Sequence, residues 1–281
     1  MKIASDVTEV LDIEAVSTNV ITFESSQHCD TFIQSFLNYL NKKPPIDHHF
    51  AHFITDNYDT IPIQQFNPII LNCGDRDLLK QKIIEEYVYK QFEHQVSTDA
   101  NVNALYQKFE QSLRLFNYAL GIQDTHYQIE VQDTSLNLKR FLKLFGLEFH
   151  HNLEDLSEIQ KRKLLIDVSI KDKKENVLII LYPEAFLGHK DIQTFMNLLK
   201  QYELTTIVLT NHPSIIMNEH NVFLCKRNKL CHSIHEVKED IEVLTNQKVS
   251  DEVVRMVAYA EFIGTEIETF APYFQFINQY E

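Results

Sequence analysis

The sequence predicts a mixed α/β head with a mostly parallel sheet, interrupted by an inserted α-helical leg. Short apolar stretches of strand length alternate with helical stretches at both ends of the chain, which is typical of parallel strands joined by crossover helices. In the middle of the chain, apolar residues instead recur every three or four positions, as on one face of a helix. We therefore expect a discontinuous head from residues 1–84 and 166–250, a leg from 85–165 and a C-terminal helical extension from 251–281.

The first part of the head is expected to contain several short strands and one helix. Val20–Phe23 is apolar enough for a buried strand, and "HFAHFIT" and "NPIILNC" are further strands separated by polar turns. The stretch "HCDTFIQSFLNYLNKK" has helical spacing, and Pro44 and Pro45 end it. Its apolar positions are Phe32, Ile33, Phe36, Leu37 and Leu40.

The leg is expected to begin with a long antiparallel helical pair. One apolar stripe runs from Leu78 to Phe92, and "STDAN" is a break with a capping serine. "TSLNLKRFLKLFG" predicts a third helix, and another begins near Leu156. The second stripe of the pair consists of Val102, Leu105, Phe109, Leu113, Phe116 and Leu120.

Strand-like segments return after the leg. "NVLIIL" and "TTIVLT" predict two buried strands, with a helix at "DIQTFMNLLKQY" between them. "VFLCKRNKLCHSI" predicts a hairpin, and "SDEVVRMVAYAEFIGTEIETF" a further helical stretch. These segments complete the head, and together with the first part they predict strands interleaved with helices.

The composition is that of a globular protein. The chain has 281 residues, of which 44% are hydrophobic and 23% charged, and its longest apolar runs are far too short to span a membrane. The N-terminus lacks the pattern of a secretory signal. Four scattered cysteines are too few for a disulfide framework and fit a reducing compartment. We therefore expect a soluble, cytoplasmic protein without a membrane partner.

The charge distribution restricts where a polyanion could bind. The formal net charge is −14, which argues against indiscriminate nucleic-acid binding because phosphate affinity comes from neutralising cations. Residues 1–79 carry 4 basic and 11 acidic side chains, and residues 166–281 carry 11 and 17. Residues 80–165 carry 11 and 12 and are close to neutral. The middle of the chain is the candidate surface for nucleic acid.

A strand, a glycine and a helix follow one another in "NPIILNCGDRDLLKQKII", as in a phosphate-binding loop. Gly74 and Lys80 have the spacing of the motif, but Leu79 replaces its second glycine and Gln81 its metal-binding hydroxyl. The branched side chain of Leu79 stands where backbone N–H groups approach phosphate. The segment is a degenerate phosphate loop or an ordinary strand-to-helix turn, and we expect no ATP to bind.

Two later segments support a degenerate P-loop NTPase-like head. "NVLIILYPEAFLGHKD" followed by "TTIVLTNH" resembles the second half of ABC-type P-loop ATPases, in which a strand ends in acidic residues and a later strand ends at a histidine. Glu184 and His212 remain, but Leu181 and Tyr182 stand where the magnesium-orienting aspartate belongs. Both the metal-binding hydroxyl and the metal-orienting carboxylate of phosphoryl transfer are missing.

The order and spacing of several segments resemble the Csn-two family of type II-A CRISPR systems, over roughly residues 1–240. The chain extends beyond the short family form to Glu281. The segments are "MKI" leading to "NVITFESSQHCDTFIQSF", then "FITDNYDTIPIQQFNPIILNCGDRDLLKQKIIEEYVYKQFEHQV", then "NLKRFLKLFGLEF", and finally the tract from "VLIILYPEAF" to "TTIVLTNH".

The resemblance implies a non-catalytic protein of CRISPR spacer acquisition. Family members form a homotetrameric ring that encircles double-stranded DNA ends through a basic channel, bind calcium and do not hydrolyse ATP. They act beside the Cas integrase complex and the RNA-guided effector nuclease. A closed ring suits an acidic chain, since only its inner surface has to be positive.

Basic residues of the leg are the candidate DNA contacts. Lys139, Arg140 and Lys143 project opposite the apolar stripe of their predicted helix, so they can contact phosphates without reading bases. The alternative interpretation is that these cations lie on solvated faces of a helical bundle. The other candidates are Lys108 and Arg114 on the long helix, and Lys161, Arg162 and Lys163 in "QKRKLL".

Metal sites have weaker signals. Calcium needs several oxygen ligands, and Asp124, Glu130 and Asp133 in "GIQDTHYQIEVQD" are the candidates, with plain solvated acids as the alternative. Cys225, Cys231, His232 and His235 do not have the spacing of a zinc finger, and the segment is better explained as two strands around a turn. His48 and His52 are expected on one face of an edge strand.

Three functions remain open at the level of sequence. The leading hypothesis is a non-catalytic ring protein that binds double-stranded DNA ends. The first alternative is an active ABC-like P-loop ATPase with an unusual phosphate loop. The second is a scaffold that binds only proteins.

Overall fold

The computed structural model describes residues 1–44, 48–76, 82–119, 156–171, 174–219 and 221–279. The chain divides into two compact units: a head unit of residues 1–78 and 157–281, and a middle unit of residues 79–156. The expected division at residue 165 is corrected, because a helix at Glu158–Ser169 belongs to the head and contacts its strand Phe66–Asn72. Residues 251–281 also belong to the head.

A six-stranded sheet forms the centre of the head. Its order is β5-β6-β7-β3-β8-β9; the first five strands are parallel, and β9 is antiparallel to β8. The α/β class, the mostly parallel sheet and the hairpin predicted from the sequence are therefore confirmed. The strands are β3 (Thr18–Phe23), β5 (Phe66–Asn72), β6 (Glu175–Leu181), β7 (Thr205–Thr210), β8 (Val222–Cys225) and β9 (Cys231–Ser233).

A small antiparallel sheet of order β2-β1-β4 lies beside the first head helix, α1 (Ser26–Leu40). The apolar face of α1 is buried as its spacing predicts, and the ring of Phe36 lies 5.2 Å from that of Phe53 on β4. Phe32 of the same face lies 5.2 Å from Phe23 of the central strand β3. One aromatic core thus joins both sheets. The small strands are β1 (Lys2–Ser5), β2 (Leu11–Asp12) and β4 (Ala51–Ile54).

The remaining head helices follow the inserted unit. Two of them begin with a capping box, in which Ser157 pairs with Gln160 and Ser233 with Glu236. The C-terminal helices pack on one another and on the short 3-10 helix at Pro213–Asn218. Over the described residues, no helix is both long and apolar enough to cross a membrane. The helices are α4 (Glu158–Ser169), α5 (His189–Lys200), α6 (Ile234–Thr245), α7 (Asp251–Phe262) and α8 (Ala271–Ile277).

The described part of the middle unit is a helical pair, α2 (Lys82–Thr98) and α3 (Ala100–Ala119). The serine expected to cap α3 does not do so: the hydroxyl of Ser97 donates to carbonyl oxygens of α2, and Asp99 accepts from the backbone N–H of Asn101 at 2.8 Å. The two helices contact each other. Nevertheless, the apolar stripe of α3 stays largely open, with Leu105 66% and Phe116 59% exposed.

Candidate functional site

The centre of the large sheet contains a topological switch point. Strands β3 and β7 are neighbours, with Thr22 paired with Thr210. After β3 the chain leads to β5 at one edge of the sheet, whereas after β7 it leads to β8 on the other side of β3. Ligands of open α/β sheets bind where connections diverge in this way, at the carboxyl ends of the strands. We call the region between residues 24–26 and 210–212 the switch-point crevice.

The glycine of the phosphate-loop pattern does not lie at this crevice. Gly74 follows β5, which is an edge strand separated from β3 by β6 and β7. Its N–H donates to the side chain of Asn72 at 3.1 Å. Lys80 lies outside the described residues. The turn that leads from the central strand into the first helix is Glu24-Ser25-Ser26, so the phosphate-loop pattern lies in a different turn of the sheet.

The turn after β3 uses its polar groups within the protein. The N–H of His28 donates to Ser25 at the start of α1, and the hydroxyl of Ser26 accepts from Asn211 at 2.9 Å. Glu24 accepts from the backbone N–H of Arg227 at 3.2 Å. Residues 24–28 contain neither glycine nor lysine. The turn therefore lacks the glycine and the lysine of a phosphate loop, and its first residue carries a carboxylate.

Tyr182 lies at the same end of the sheet and is hydrogen-bonded to the first helix. It follows β6 with a φ of 52°, and its hydroxyl donates to Asp30 of α1 at 2.6 Å. Burial raises the pKa of Tyr182, and the bond to Asp30 raises it further. Burial, together with the charges of Asp30 and Glu184, raises the pKa of the neighbouring Cys29 thiol to about 12. Cys29 is therefore protonated near neutral pH and is a poor nucleophile.

The acid and the histidine singled out in the sequence are held by hydrogen bonds at the same end of the sheet. Thr210 donates its hydroxyl hydrogen to Glu184 at 2.9 Å and accepts the backbone N–H of His212 at 2.9 Å. The ring of His212 lies 2.7 Å from the hydroxyl of Ser214. Leu181, at the end of β6, is buried. Within the described residues, no three His, Cys, Asp or Glu side chains converge as a metal site.

Arg162 was predicted to contact DNA, and the structure contradicts this. Its side chain is 0% exposed, and its guanidinium donates to the carbonyl oxygen of Pro183 at 2.7 Å and to that of Ala185. It also lies 4.9 Å from the ring centroid of Phe195. A guanidinium held in this way cannot reach a phosphate. Arg162 instead supports the loop that follows β6.

The neighbouring lysines differ from Arg162 in their surroundings. Lys161 forms an ion pair with Glu158 at 2.8 Å, and Lys163 pairs with Asp167 at 2.7 Å. In the middle unit, Lys108 is exposed, and Arg114 lies 4.0 Å from Glu110. Surface ion pairs of this kind are weak, so these cations stay candidates for phosphate contacts.

The remaining predicted site residues lie outside the described residues. They are the basic set Lys139, Arg140 and Lys143 and the acidic set Asp124, Glu130 and Asp133.

The cysteines and histidines considered as metal ligands lie in or near the β8–β9 hairpin and strand β4. Cys225 and Cys231 face each other across β8 and β9, with their sulfur atoms 2.9 Å apart. His235 instead pairs with Glu239 at 3.3 Å. His52 lies on β4 against the rings of Tyr39 and Phe50, and burial lowers its pKa. His48 precedes the strand with a φ of 65°, so the expected pairing on one strand face is wrong.

The buried position of Arg162 could have been predicted from the sequence. Arg162 shares a helix face with Leu165, Ile166 and Ser169, at spacings of three, four and seven, and all four are buried. Their spacing is that of a core-facing stripe. The Glu24 turn had no comparable signal, because its position depends on the strand order of the sheet.

The comparisons with known proteins support the fold. No protein-family model and no curated protein matches the chain. The crystal structure of Stu0660 of Streptococcus thermophilus matches with a TM-score of 0.70 and 12% identity, over 99% of this chain and 93% of that one. The shared fold thus includes the C-terminal helices. A second match is the structure of cbiO1 from Clostridium perfringens, part of the ABC transporter complex cbiONQ. It covers 84% of this chain and 88% of that one at 14% identity. Its TM-score of 0.40 is too low to carry an argument.

Proposed function

We propose that this protein is a non-catalytic ring protein that binds double-stranded DNA ends in CRISPR spacer acquisition. Its assembly is a homotetramer, and it acts beside the Cas integrase complex and the RNA-guided effector nuclease. The proposal combines the resemblance of the sequence to the Csn-two family with the chemistry of the head. The observation that carries its non-catalytic part is the turn Glu24-Ser25-Ser26 at the switch point, where Glu24 brings a carboxylate to the start of α1.

The crevice supports a non-catalytic head for two reasons. The first is charge: the carboxylates of Glu24 and Asp30 lie near the start of α1, and Arg227, 4.0 Å from Glu24, offsets only one of them, so a bound triphosphate would meet electrostatic repulsion. The second is space, because Tyr182 bonds to Asp30 and Asn211 bonds to Ser26 across the loops that a nucleotide would have to enter. A nucleotide that entered between these loops would compete with both hydrogen bonds.

The charge map supports DNA binding through the middle of the chain. The two sequence segments that flank residues 80–165 are both strongly acidic, whereas residues 80–165 are nearly neutral. A duplex is therefore least repelled by this segment. Lys108 and Arg114 on α3 belong to it, and so does the basic set Lys139, Arg140 and Lys143.

The open apolar stripe of α3 supports self-association. Leu105, Phe109 and Phe116 follow one another at helical spacing and are all exposed. Contiguous exposed apolar surface on a helix is typical of an interface with another protein surface. A second copy of the chain is the partner that a ring requires.

The proposal is tested by measuring solution mass together with binding to linear and closed-circular duplex of equal length. A tetramer that binds linear DNA well and closed circles much less supports a ring threaded by DNA ends. A monomer of 33.1 kDa at micromolar concentration would disprove the ring. Equal retention of both DNA forms would indicate a surface groove.

Parallel assays test the two alternative functions, an active ATPase and a protein-only scaffold. Saturable magnesium-ATP binding that disappears in Lys80→Ala would favour the ATPase. An assembly that binds neither DNA form would favour a protein-only scaffold. Calcium is tested by repeating the DNA titration with a chelator and with the substitutions Asp124→Asn, Glu130→Gln and Asp133→Asn, which should weaken DNA binding if these residues hold the ion.

A further inference from the structure

We propose that Cys225 and Cys231 form a reversible disulfide, and that this hairpin is a modification site for low-molecular-weight disulfides such as oxidised glutathione. The two residues are register partners in the antiparallel pair β8 and β9. Their sulfur atoms lie 2.9 Å apart, which is shorter than the separation of about 3.5 to 4.0 Å at which even the smaller carbon atoms pack without a bond. Both are free cysteines in the structure.

The backbone of the hairpin brings the two side chains together. The carbonyl oxygen of Cys225 accepts from the N–H of Glu24 on the β3 side, and the N–H of Cys231 donates to the side chain of Glu9. The next pair outward is bonded, since the N–H of Lys226 donates to Leu230 at 2.8 Å. Cys225 and Cys231 are thus a non-hydrogen-bonded pair, for which Cα atoms lie about 4.5 Å apart. A disulfide spans about 4.4 to 6.8 Å between Cα atoms, so the bond can form without moving the strands.

The exposure of the two thiols indicates that Cys231 reacts first and Cys225 second. Cys231 is partly exposed, whereas Cys225 is buried, and burial raises the pKa of Cys225. The thiolate of Cys231 attacks one sulfur of oxidised glutathione, and the other glutathione leaves as its thiolate. Burial makes the Cys225 thiolate scarce near neutral pH, as it does for Cys29, but the Cys225 sulfur already lies 2.9 Å from that of Cys231. Because of this proximity, Cys225 loses its proton to solvent, attacks the Cys231 sulfur and expels the second glutathione. Two protein thiols are oxidised and one glutathione disulfide is reduced to two thiols.

The loop that the disulfide would close connects two parts of the head. Lys226 forms a buried ion pair with Glu261 of α7 at 2.8 Å, and the N–H of Arg227 donates to Glu24 in the switch-point crevice. A covalent bond between the strand ends restricts this loop in the unfolded chain as well as in the folded one. We therefore expect the oxidised protein to unfold at higher urea concentration than the reduced protein.

The test uses the full chain, treated with oxidised glutathione, denatured, alkylated and digested with trypsin. Trypsin cuts after Lys226, Arg227 and Lys229, so the disulfide joins two peptides that separate on reduction. We expect two of the 4 cysteines to resist alkylation and the Cys225 and Cys231 peptides to be joined. Four reactive cysteines, glutathione that stays attached to Cys231, or a link between other cysteines would each overturn the proposal.

Two variants separate this site from general oxidation. Cys231→Ser should lose the joined peptide, and Cys29→Ala, the matched control, should keep it. A joined Cys225 and Cys231 peptide that is absent from oxidised Cys29→Ala overturns the assignment. If Cys231→Ser does not fold, the peptide map of the unaltered chain decides the question by itself.

Discussion

The guanidinium of Arg162 donates a hydrogen bond of 2.7 Å to the carbonyl oxygen of Pro183, and this bond holds the loop that follows β6. The same loop carries Tyr182 and Glu184, which reach the switch-point crevice through Asp30 and Thr210. A buried cation thus holds the loop from which these two side chains form their hydrogen bonds. The contribution of Arg162 to the head can be measured as a change in the free energy of unfolding.

Replacing Arg162 by methionine should destabilise the head strongly. The change removes the donors to Pro183 and Ala185 and leaves buried carbonyl oxygens unsatisfied, at a cost of about 3 kcal/mol. Urea unfolding measures the difference. Lys163→Ala, on the same helix but exposed and paired only at the surface, is the control and should cost less than about 1 kcal/mol. If both changes lowered the free energy of unfolding equally, the buried hydrogen bonds of Arg162 would not stabilise the head more than a surface ion pair does.

DNA binding should depend on the basic set of the leg. Replacing Lys139, Arg140 and Lys143 by alanine should weaken binding to all duplex sequences alike. The log-log salt slope should become shallower by about 0.9 for each phosphate that the variant no longer neutralises. The measurement is a salt titration of duplex affinity, with the assembly's mass unchanged.

A charge-matched variant controls for the net charge. Lys43, Lys190 and Lys248 are exposed lysines of the head, and replacing all three by alanine removes the same charge. This control should keep the salt slope of the unaltered protein. If the leg variant and the control behave alike, the helix with Lys139 does not contact DNA.

Self-association should depend on the apolar stripe of α3. Leu105→Glu combined with Phe116→Glu places two charges on the exposed stripe and should lower the mass measured by sedimentation. Gln107→Glu with Gln111→Glu adds the same charge on the opposite side of the helix and is the matched control. A mass that is unchanged in the stripe variant would remove this stripe from the assembly.

The stability of the head should fall at alkaline pH. Burial raises the pKa of both Cys29 and Cys73 from 9.0 to about 12. Above the unfolded value of 9.0 the unfolded chain loses these protons while the folded chain keeps them, so the free energy of unfolding decreases as pH rises towards about 12. Urea unfolding at roughly pH 8 and roughly pH 10 measures the slope.

Cysteine substitution tests the origin of this alkaline slope. Cys29→Ala and Cys73→Ala together should make it shallower, while the variant and the parent should remain parallel at lower pH. Burial also raises the pKa of Tyr39 to about 12, so part of the slope should stay. Identical slopes in the double variant and the parent would show that the thiols do not cause it.

The long periodic elements could be predicted from the sequence because their signals are local. The stripe of α1 and the apolar runs of β6 and β7 contain within themselves the residues that become buried. The location of the crevice could not be predicted in this way. It depends on β3 lying between β7 and β8, and no local pattern shows that the turn at Glu24, rather than the turn at Gly74, lies at the switch point.

The interpretation of charged residues shows the same limit. "KRK" at 161–163 has the composition of a phosphate-binding patch, yet successive residues of a helix point about 100° apart. Arg162 therefore faces the core while Lys161 and Lys163 do not, and only the position of the helix on the sheet gives the reason.

The discontinuity of the head also has a consequence for synthesis. The central strand β3 pairs only with β7 and β8, and both are encoded after the middle unit; Thr22 meets Thr210, 188 positions later. A ribosome that adds roughly 5–20 residues per second leaves β3 without its partner strands for on the order of ten seconds. During that time the edges of the apolar segment from Val20 to Phe23 lack the strands with which they pair in the folded head.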